Sequence, residues 1–228
     1  MRAAPTYHRP MATEYKQTKR TRIFRKPGRG SYDRELVHSI LDEALTCHVG
    51  FVQDGQPYVV PTIHARVGET LFLHGARGNR MLKALIDGTP CCVTVTLVDE
   101  LVLARAALHH SLNYRSVMVL GTAREVTEPD EKQAALRAVV EHIAPGRAAE
   151  VRSPSETDAK STRVLSLPVE EASAKVRTGP PVDEEADLEL PYWAGQLPLT
   201  SGTGDPIPAP YLHGDPPVPS SLKGWSRP

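Results

Sequence analysis

Leu71-Phe72-Leu73-His74-Gly75-Ala76-Arg77-Gly78-Asn79-Arg80-Met81 reads as a strand, a glycine-punctuated turn and the start of a helix. The helix would run over Arg80–Ile86, with Met81, Leu82, Leu85 and Ile86 on one face. A strand that passes through such a turn into a helix leaves several backbone N–H groups unpaired and pointing one way. The positive end of the helix dipole stands behind them. That arrangement suits an anion, most often a phosphate. The stretch matches neither a Walker loop nor the G-x-G-x-x-G fingerprint, so the usual nucleotide motifs do not account for it.

Upstream, Asp54-Gly55 separates strand signals at His48–Gln53 and Pro57–Val67, a strong hairpin turn, and Gly68-Glu69 leads into Thr70–His74. Before these, Ser31 to Leu45 carries Leu36, Val37, Ile40, Leu41, Ala44 and Leu45 at helical spacing, with Ser31 or Asp33 as cap. Downstream, Cys91–Val98 alternates, with Val93, Val95 and Leu97 facing one way and Thr94 and Thr96 the other. Leu101–Ala107 is a further apolar segment, and Asn113–Val126 is a long β-branched strand in which Gly121 reads as a bulge. A helix over Glu128–Ile143 precedes strands at Thr162–Val169 and Ala172–Thr178. Short strands, tight turns and two or three helices predict a mainly β fold, a small antiparallel β-barrel with accessory helices.

Three regions are expected: a basic arm over 1–30, the barrel over 31–178, and an acidic, Pro-rich tail over 179–228 packing on the barrel or on a second subunit. The arm lacks apolar periodicity and is expected to be loose or draped on a partner, with Met11 as an alternative start. The formal net charge is zero, which gives no general pull toward nucleic acid or membrane. No apolar run approaches the roughly 18 residues of a membrane span, and the basic N-terminus has no apolar stretch behind it. Cys47, Cys91 and Cys92 form no C-x-x-C and cannot all pair, so the expectation is a reducing compartment and a cytoplasmic protein. His48, His64 and His74, with Cys47 nearby, match no zinc spacing, and no metal is expected.

Val59-Val60-Pro61-Thr62, then Leu71–Ala76 with Asn79-Arg80 behind it, then His110-Ser111-Leu112-Asn113-Tyr114-Arg115-Ser116-Val117 running to Gly121, come in a recognisable order. Together with Ala174–Pro181 and Trp193-Ala194-Gly195 they resemble the pyridoxamine 5′-phosphate oxidase-like FMN-binding split barrels, over roughly residues 20–200. Within that group the chain looks closest to the nitroimidazole-reductase-like branch. The resemblance implies a split barrel with a Greek-key antiparallel six-stranded core, and an FMN-binding homodimer with a flavin site at each subunit interface.

By that resemblance the phosphate lies at His74, Gly75, Ala76, Asn79 and Arg80, and the flavin ring along Pro61, Thr62 and Ile63. Ser111, Asn113, Arg115 and Ser116 come near the cofactor, partly from the other subunit, and Trp193 either stacks on the flavin or pins the tail. An arginine such as Arg115 in an apolar strand needs a partner, which a phosphate or an acid would supply. His74 is either a buried structural histidine or a cofactor contact. Asn79-Arg80 stands where pyridoxamine-phosphate oxidases place an Arg-Lys pair, and their C-terminal substrate-phosphate arginine motif has no match, which argues against pyridoxamine phosphate as substrate.

The expected activity is flavin-mediated hydride or electron transfer to a small organic acceptor, with NADH or NADPH as donor and no essential acid or base assigned. The alternatives are a non-catalytic flavin carrier or sensor, or a haem-binding split barrel.

Overall fold

In the computed structural model the described residues are 12–225 apart from His213 and Asp215. The alternative start at Met11, and the first part of the basic arm, lie outside them. The order is β1 (Gly30–Ser31), α1 (Arg34–Glu43), β2 (Thr46–Gln53), β3 (Gln56–Val67), β4 (Thr70–Ala76), α2 (Arg80–Ile86), β5 (Pro90–Leu103), β6 (Ser111–Thr122), β7 (Arg124–Glu125), α3 (Pro129–Ile143), α4 (Glu156–Ser161), β8 (Thr162–Pro168), β9 (Glu171–Arg177) and β10 (Gly195–Pro198). All pairings are antiparallel, in the order β1-β9-β6-β5-β2-β3-β4-β8-β7, with β10 on the free stretch of β5. The sheet has ten strands, of which β1, β7 and β10 are short additions at its margins and the other seven, each of seven residues or more, form the antiparallel barrel.

Local chemistry explains most boundaries. Asp33 caps α1, its carboxylate accepting from the Leu36 N–H at 2.8 Å. Asp54 and Gly55 both have positive φ, 53° and 76°, the primed hairpin turn whose twist matches two antiparallel strands. Val37, Ile40 and Leu41 of α1 and Met81, Leu82 and Leu85 of α2 enter one core with Val49, Leu71, Leu73, Val93, Val95, Val119, Leu165 and Leu167. Each such side chain contributes about 1.5–3 kcal/mol by leaving water. Helix α3 instead lies on the outer side of β4 and β8, where Ala135 and Leu136 meet Phe72, Val126 and Val164 in a separate cluster.

Three expectations change. Gly121 is not a bulge: it pairs in register with Cys91, and the register slips instead at Asp99, between Val98 and Glu100. A Cβ at Gly121 would lie 2.7 Å from Leu167 Cδ1, so the glycine lets β6 approach β8 across the barrel. The slip also joins Cys91–Val98 to the segment after it, making one strand, β5. Third, residues 12–30 of the arm are not loose. Tyr15 is buried, its hydroxyl 2.7 Å from Glu69 and 2.8 Å from His38, and Thr21 is buried beneath Tyr32. Arg20 reaches Glu171 at 2.9 Å. The tail returns to its own barrel: β10 pairs with Glu100–Leu103, and the carboxylate of Asp183 accepts from Arg105 at 2.8 Å. Among the described residues no helix is long and apolar enough to cross a membrane.

Candidate functional site: a cleft where two strands part

Strand β3 changes partner along its length. Gln56–Ile63 pairs with β2, whereas His64–Val67 pairs with β4. On its other edge β4 pairs with β8 from Thr70 to Ala76, so beyond the His64–Leu73 pair His74, Gly75 and Ala76 keep only that partner. The two strands therefore separate, and no strand among the described residues covers the facing edges of Val59–Ile63 and His74–Ala76. In an antiparallel ladder alternate residues turn their N–H and C=O groups to opposite sides. The cleft is consequently edged by backbone groups that pair with nothing in the sheet. Pro61 is exposed there and offers only a carbonyl; Thr62 and Ile63 are half-buried beside it.

Helix α2 closes one end. Gly75 permits this, since a Cβ there would stand 3.2 Å from Leu82 Cδ1. Asn79 caps the helix, its side-chain oxygen accepting from the Leu82 N–H at 3.2 Å, while its own N–H donates to Ala76 O at 2.9 Å. That leaves the N–H groups of Gly78, Arg80 and Met81 without an acceptor among the described residues. The helix has only seven residues, so these donors and the adjacent cation, rather than a long dipole, make the cup. Arg80 is exposed, has no carboxylate partner among the described residues, and lies 5.1 Å from the centroid of the Tyr58 ring on β3. It therefore spans the cleft mouth from turn to strand. Tyr58, which also stacks on Phe51 at 5.4 Å, was missed from sequence, although it alternates with Val60 and Thr62 and so had to share their face.

His74 is half-buried and alternates with Phe72. Its Nδ1 is enclosed without a hydrogen-bond partner, and Nε2 makes no hydrogen bond to the chain. Burial lowers its pKa and so favours the neutral imidazole. A half-buried histidine with neither nitrogen satisfied is a poor structural residue and a fitting ligand contact.

Of the residues expected at the site, Pro61, Thr62, Ile63, His74, Gly75, Ala76, Asn79 and Arg80 meet at this cleft. Ser111, Asn113, Arg115 and Ser116 do not meet it within the chain. They lie on β6, separated from β3 by β5 and β2, about 14 Å away at ordinary strand spacing. Arg115 is matched by acids of its own chain rather than by a phosphate. It forks onto Glu43, with one contact at 2.8 Å, and onto Asp99 at 2.7 and 3.1 Å. Asn113 is buried, donating to Glu100 and to Gly179 O (3.2 Å) and accepting from the buried Arg177. Ser116 donates to Lys175 O at 3.2 Å. Trp193 is 67% exposed, and a Cβ at Gly195 would lie 2.8 Å from its ring, so the indole lies against that glycine of its own tail segment. His48, His64 and His74 do not gather: His48 is exposed on β2, and buried His64 donates toward Leu41 O at 2.8 Å beside His142. Among the described residues no group of three or more metal-ligating side chains forms.

The family model described as pyridoxamine 5′-phosphate oxidase matches residues 33–176. The chain is 38% identical to the flavocytochrome Anf3 from Azotobacter vinelandii, with a TM-score of 0.86, covering 92% of this chain and 97% of that one. It is 35% identical to an FAD and heme binding protein from Mycobacterium smegmatis, with a TM-score of 0.82, covering 86% and 96%. A candidate 5-nitroimidazole antibiotic resistance protein from Bacteroides thetaiotaomicron is 26% identical, with a TM-score of 0.56, covering 64% and 86%. No curated protein matches by sequence. The matched span takes in both strands of the cleft, the turn, β5 and β6, and the antiparallel barrel agrees with it: the chain belongs to the pyridoxamine 5′-phosphate oxidase family.

Proposed function

We propose that this protein is a flavin-dependent oxidoreductase whose flavin lies in the β3–β4 cleft of a homodimer. The observation that carries the reading is the cleft itself: free backbone edges on both strands, three unengaged N–H groups in the turn, and an uncompensated Arg80 at its mouth. The Gly78, Arg80 and Met81 amides with the Arg80 guanidinium would hold the phosphate, and the Pro61–Ile63 edge would bind the polar rim of the ring. A bound flavin would supply the hydride or electron transfer to a small organic acceptor, with NADH or NADPH as the reductant. The cup would hold the phosphate of FMN, and a relative that is an FAD and heme binding protein makes FAD the other candidate.

What one chain leaves undone supports the homodimer. Ser111, Ser116 and Trp193 stand away from the cleft of their own chain, so they could border a flavin only from a second copy. Val59 (68% exposed), Tyr192 (61%) and Leu108 (91%) are apolar surface that such a copy would cover. The free thiols suit a reducing compartment, and we place the protein in the cytoplasm.

A second reading, haem held in addition to or in place of a role for flavin, is favoured by His74. A neutral, half-buried imidazole with Nε2 uncommitted is the form that ligates iron, and relatives of 38% and 35% identity are a flavocytochrome and an FAD and heme binding protein. Arg80→Ala separates the phosphate reading from both. Its flavin affinity should fall about tenfold or more, the worth of a charge-assisted phosphate contact. Unchanged affinity in a fluorescence titration of the apo-protein would reject Arg80 as the phosphate ligand.

A further inference from the structure

The outward face of the sheet is polar where β5, β6 and β9 run side by side. Thr94, Met118 and Ser173 stand in one row across it, and Thr96, Ser116 and Lys175 in the next. Residues 23–25 of the arm form a strap along this face and close it into a groove of about 430 Å³. The strap is fixed in place. Thr21 just before it is 1% exposed, a Cβ at Gly30 would lie 2.7 Å from Ile23 Cδ1, and Lys26 just after it turns the chain with φ of 57°. Two features of the groove point to a ligand. Ser173 is 5% exposed and lines the groove, yet its hydroxyl makes no hydrogen bond among the described residues, which a native chain rarely leaves uncompensated. Arg25 and Lys175 line it too, without a carboxylate partner among the described residues, and no acid is among the lining residues. Phe24, also in the lining, is 74% exposed, with the Arg22 guanidinium 5.1 Å from its ring centroid.

We propose that this groove binds a small organic acid with a flat apolar body. Its volume falls in the range of small-ligand sites. Arg25 and Lys175 would take the carboxylate, and the Ser173 hydroxyl, with those of Thr94 and Thr96, can donate to the remaining lone pairs. Phe24 and Met118 would cover the flat part of the molecule. A neutral ligand would leave both cations uncompensated, and a bare inorganic anion would leave Phe24 and Met118 uncovered. The groove itself needs no flavin. It shares Ser116 with the border proposed for the flavin of a second copy, so in that dimer the bound acid would lie beside the ring. Its role as the electron acceptor is the one part that rests on the flavin reading.

Calorimetric titration of the full chain with naphthoate and with its neutral amide, naphthamide, tests this directly. The wild type should bind the acid about tenfold more tightly than the amide or better, and Arg25→Gln/Lys175→Gln should lose that preference with its charge-assisted contacts. FMN titration of both proteins is the control, and equal FMN affinities show that the fold is intact. No binding of the acid, equal binding of acid and amide by the wild type, or an undiminished preference in the variant overturns the site. A wild type that binds the acid but neither FMN nor FAD would sink the flavin reading and leave the groove standing. One that retains flavin but not the acid would do the reverse. In the flavin-loaded protein, a shift of the flavin absorption on adding the acid supports the acceptor role, and an unmoved spectrum rejects it.

Discussion

Asn113→Leu is expected to destabilise the cofactor-free protein by about 3 kcal/mol, a large share of the total for a domain of this size. Asn113 is 2% exposed and sits at the centre of a buried network. Its oxygen accepts from Arg177, which is itself 6% exposed; its amide donates to Glu100, which also accepts from Gln196 on β10. Arg177 further donates to Gly179 O at 3.1 Å and Pro180 O at 3.2 Å, where the chain leaves β9 for the tail. A leucine of similar volume keeps the packing but removes both halves of the relay, leaving a buried guanidinium short of an acceptor and a carboxylate short of a donor. Denaturant unfolding followed by circular dichroism measures this. A stability within about 0.5 kcal/mol of wild type, the usual range for harmless surface changes, would show that the network does not hold the tail to the barrel.

Acidification should weaken the fold through His64. This histidine has no exposed surface, and its pKa is pushed from 6.5 down to about 4, first by burial and then by the neighbouring His142, 4.7 Å away ring to ring. Both imidazoles face the end of α1: His64 Nε2 lies 2.8 Å from Leu41 O and His142 Nε2 lies 2.9 Å from Ala44 O. Between the two pKa values the unfolded chain binds the proton and the folded chain refuses it, so stability falls as pH drops through that window. Going from about pH 7.5 to about pH 5 should remove about 2 kcal/mol through this residue. His64→Gln should be less stable at neutral pH, yet lose that much less on acidification. A variant whose unfolding midpoint falls with pH as steeply as the wild type would contradict the assignment.

Helix and strand positions were legible wherever periodicity and turn chemistry agreed. The Asp54-Gly55 hairpin, α2 and the alternation in Cys91–Val98 needed only local rules. Half of the candidate site was legible for the same reason, since Pro61–Ile63 and His74–Arg80 are short runs at the ends of neighbouring strands. What could not be read was where partners change. That β3 pairs with β4 only from His64 onward is a property of the sheet, and only this parting turns two ordinary strands into a cleft. The partners of Arg115 and Asn113 could not be read, because a polar residue in an apolar strand announces that it has a partner without naming it. Glu43 is 72 residues from Arg115 in sequence, and Arg177 is 64 from Asn113. Gly121 shows the same limit: a glycine in a strand marks either a bulge or a close approach, and the side chain of Leu167 on a distant strand decides between them.

The absorption spectrum of the purified full chain, before and after addition of FMN or FAD, bears most directly on the claim that the β3–β4 cleft is a flavin site. Flavin bands that stay with the protein through gel filtration, and that weaken in Arg80→Ala, are the predicted result, and an added Soret band lost in His74→Ala would assign haem to the same site. A colourless protein that retains neither FMN nor FAD would contradict it.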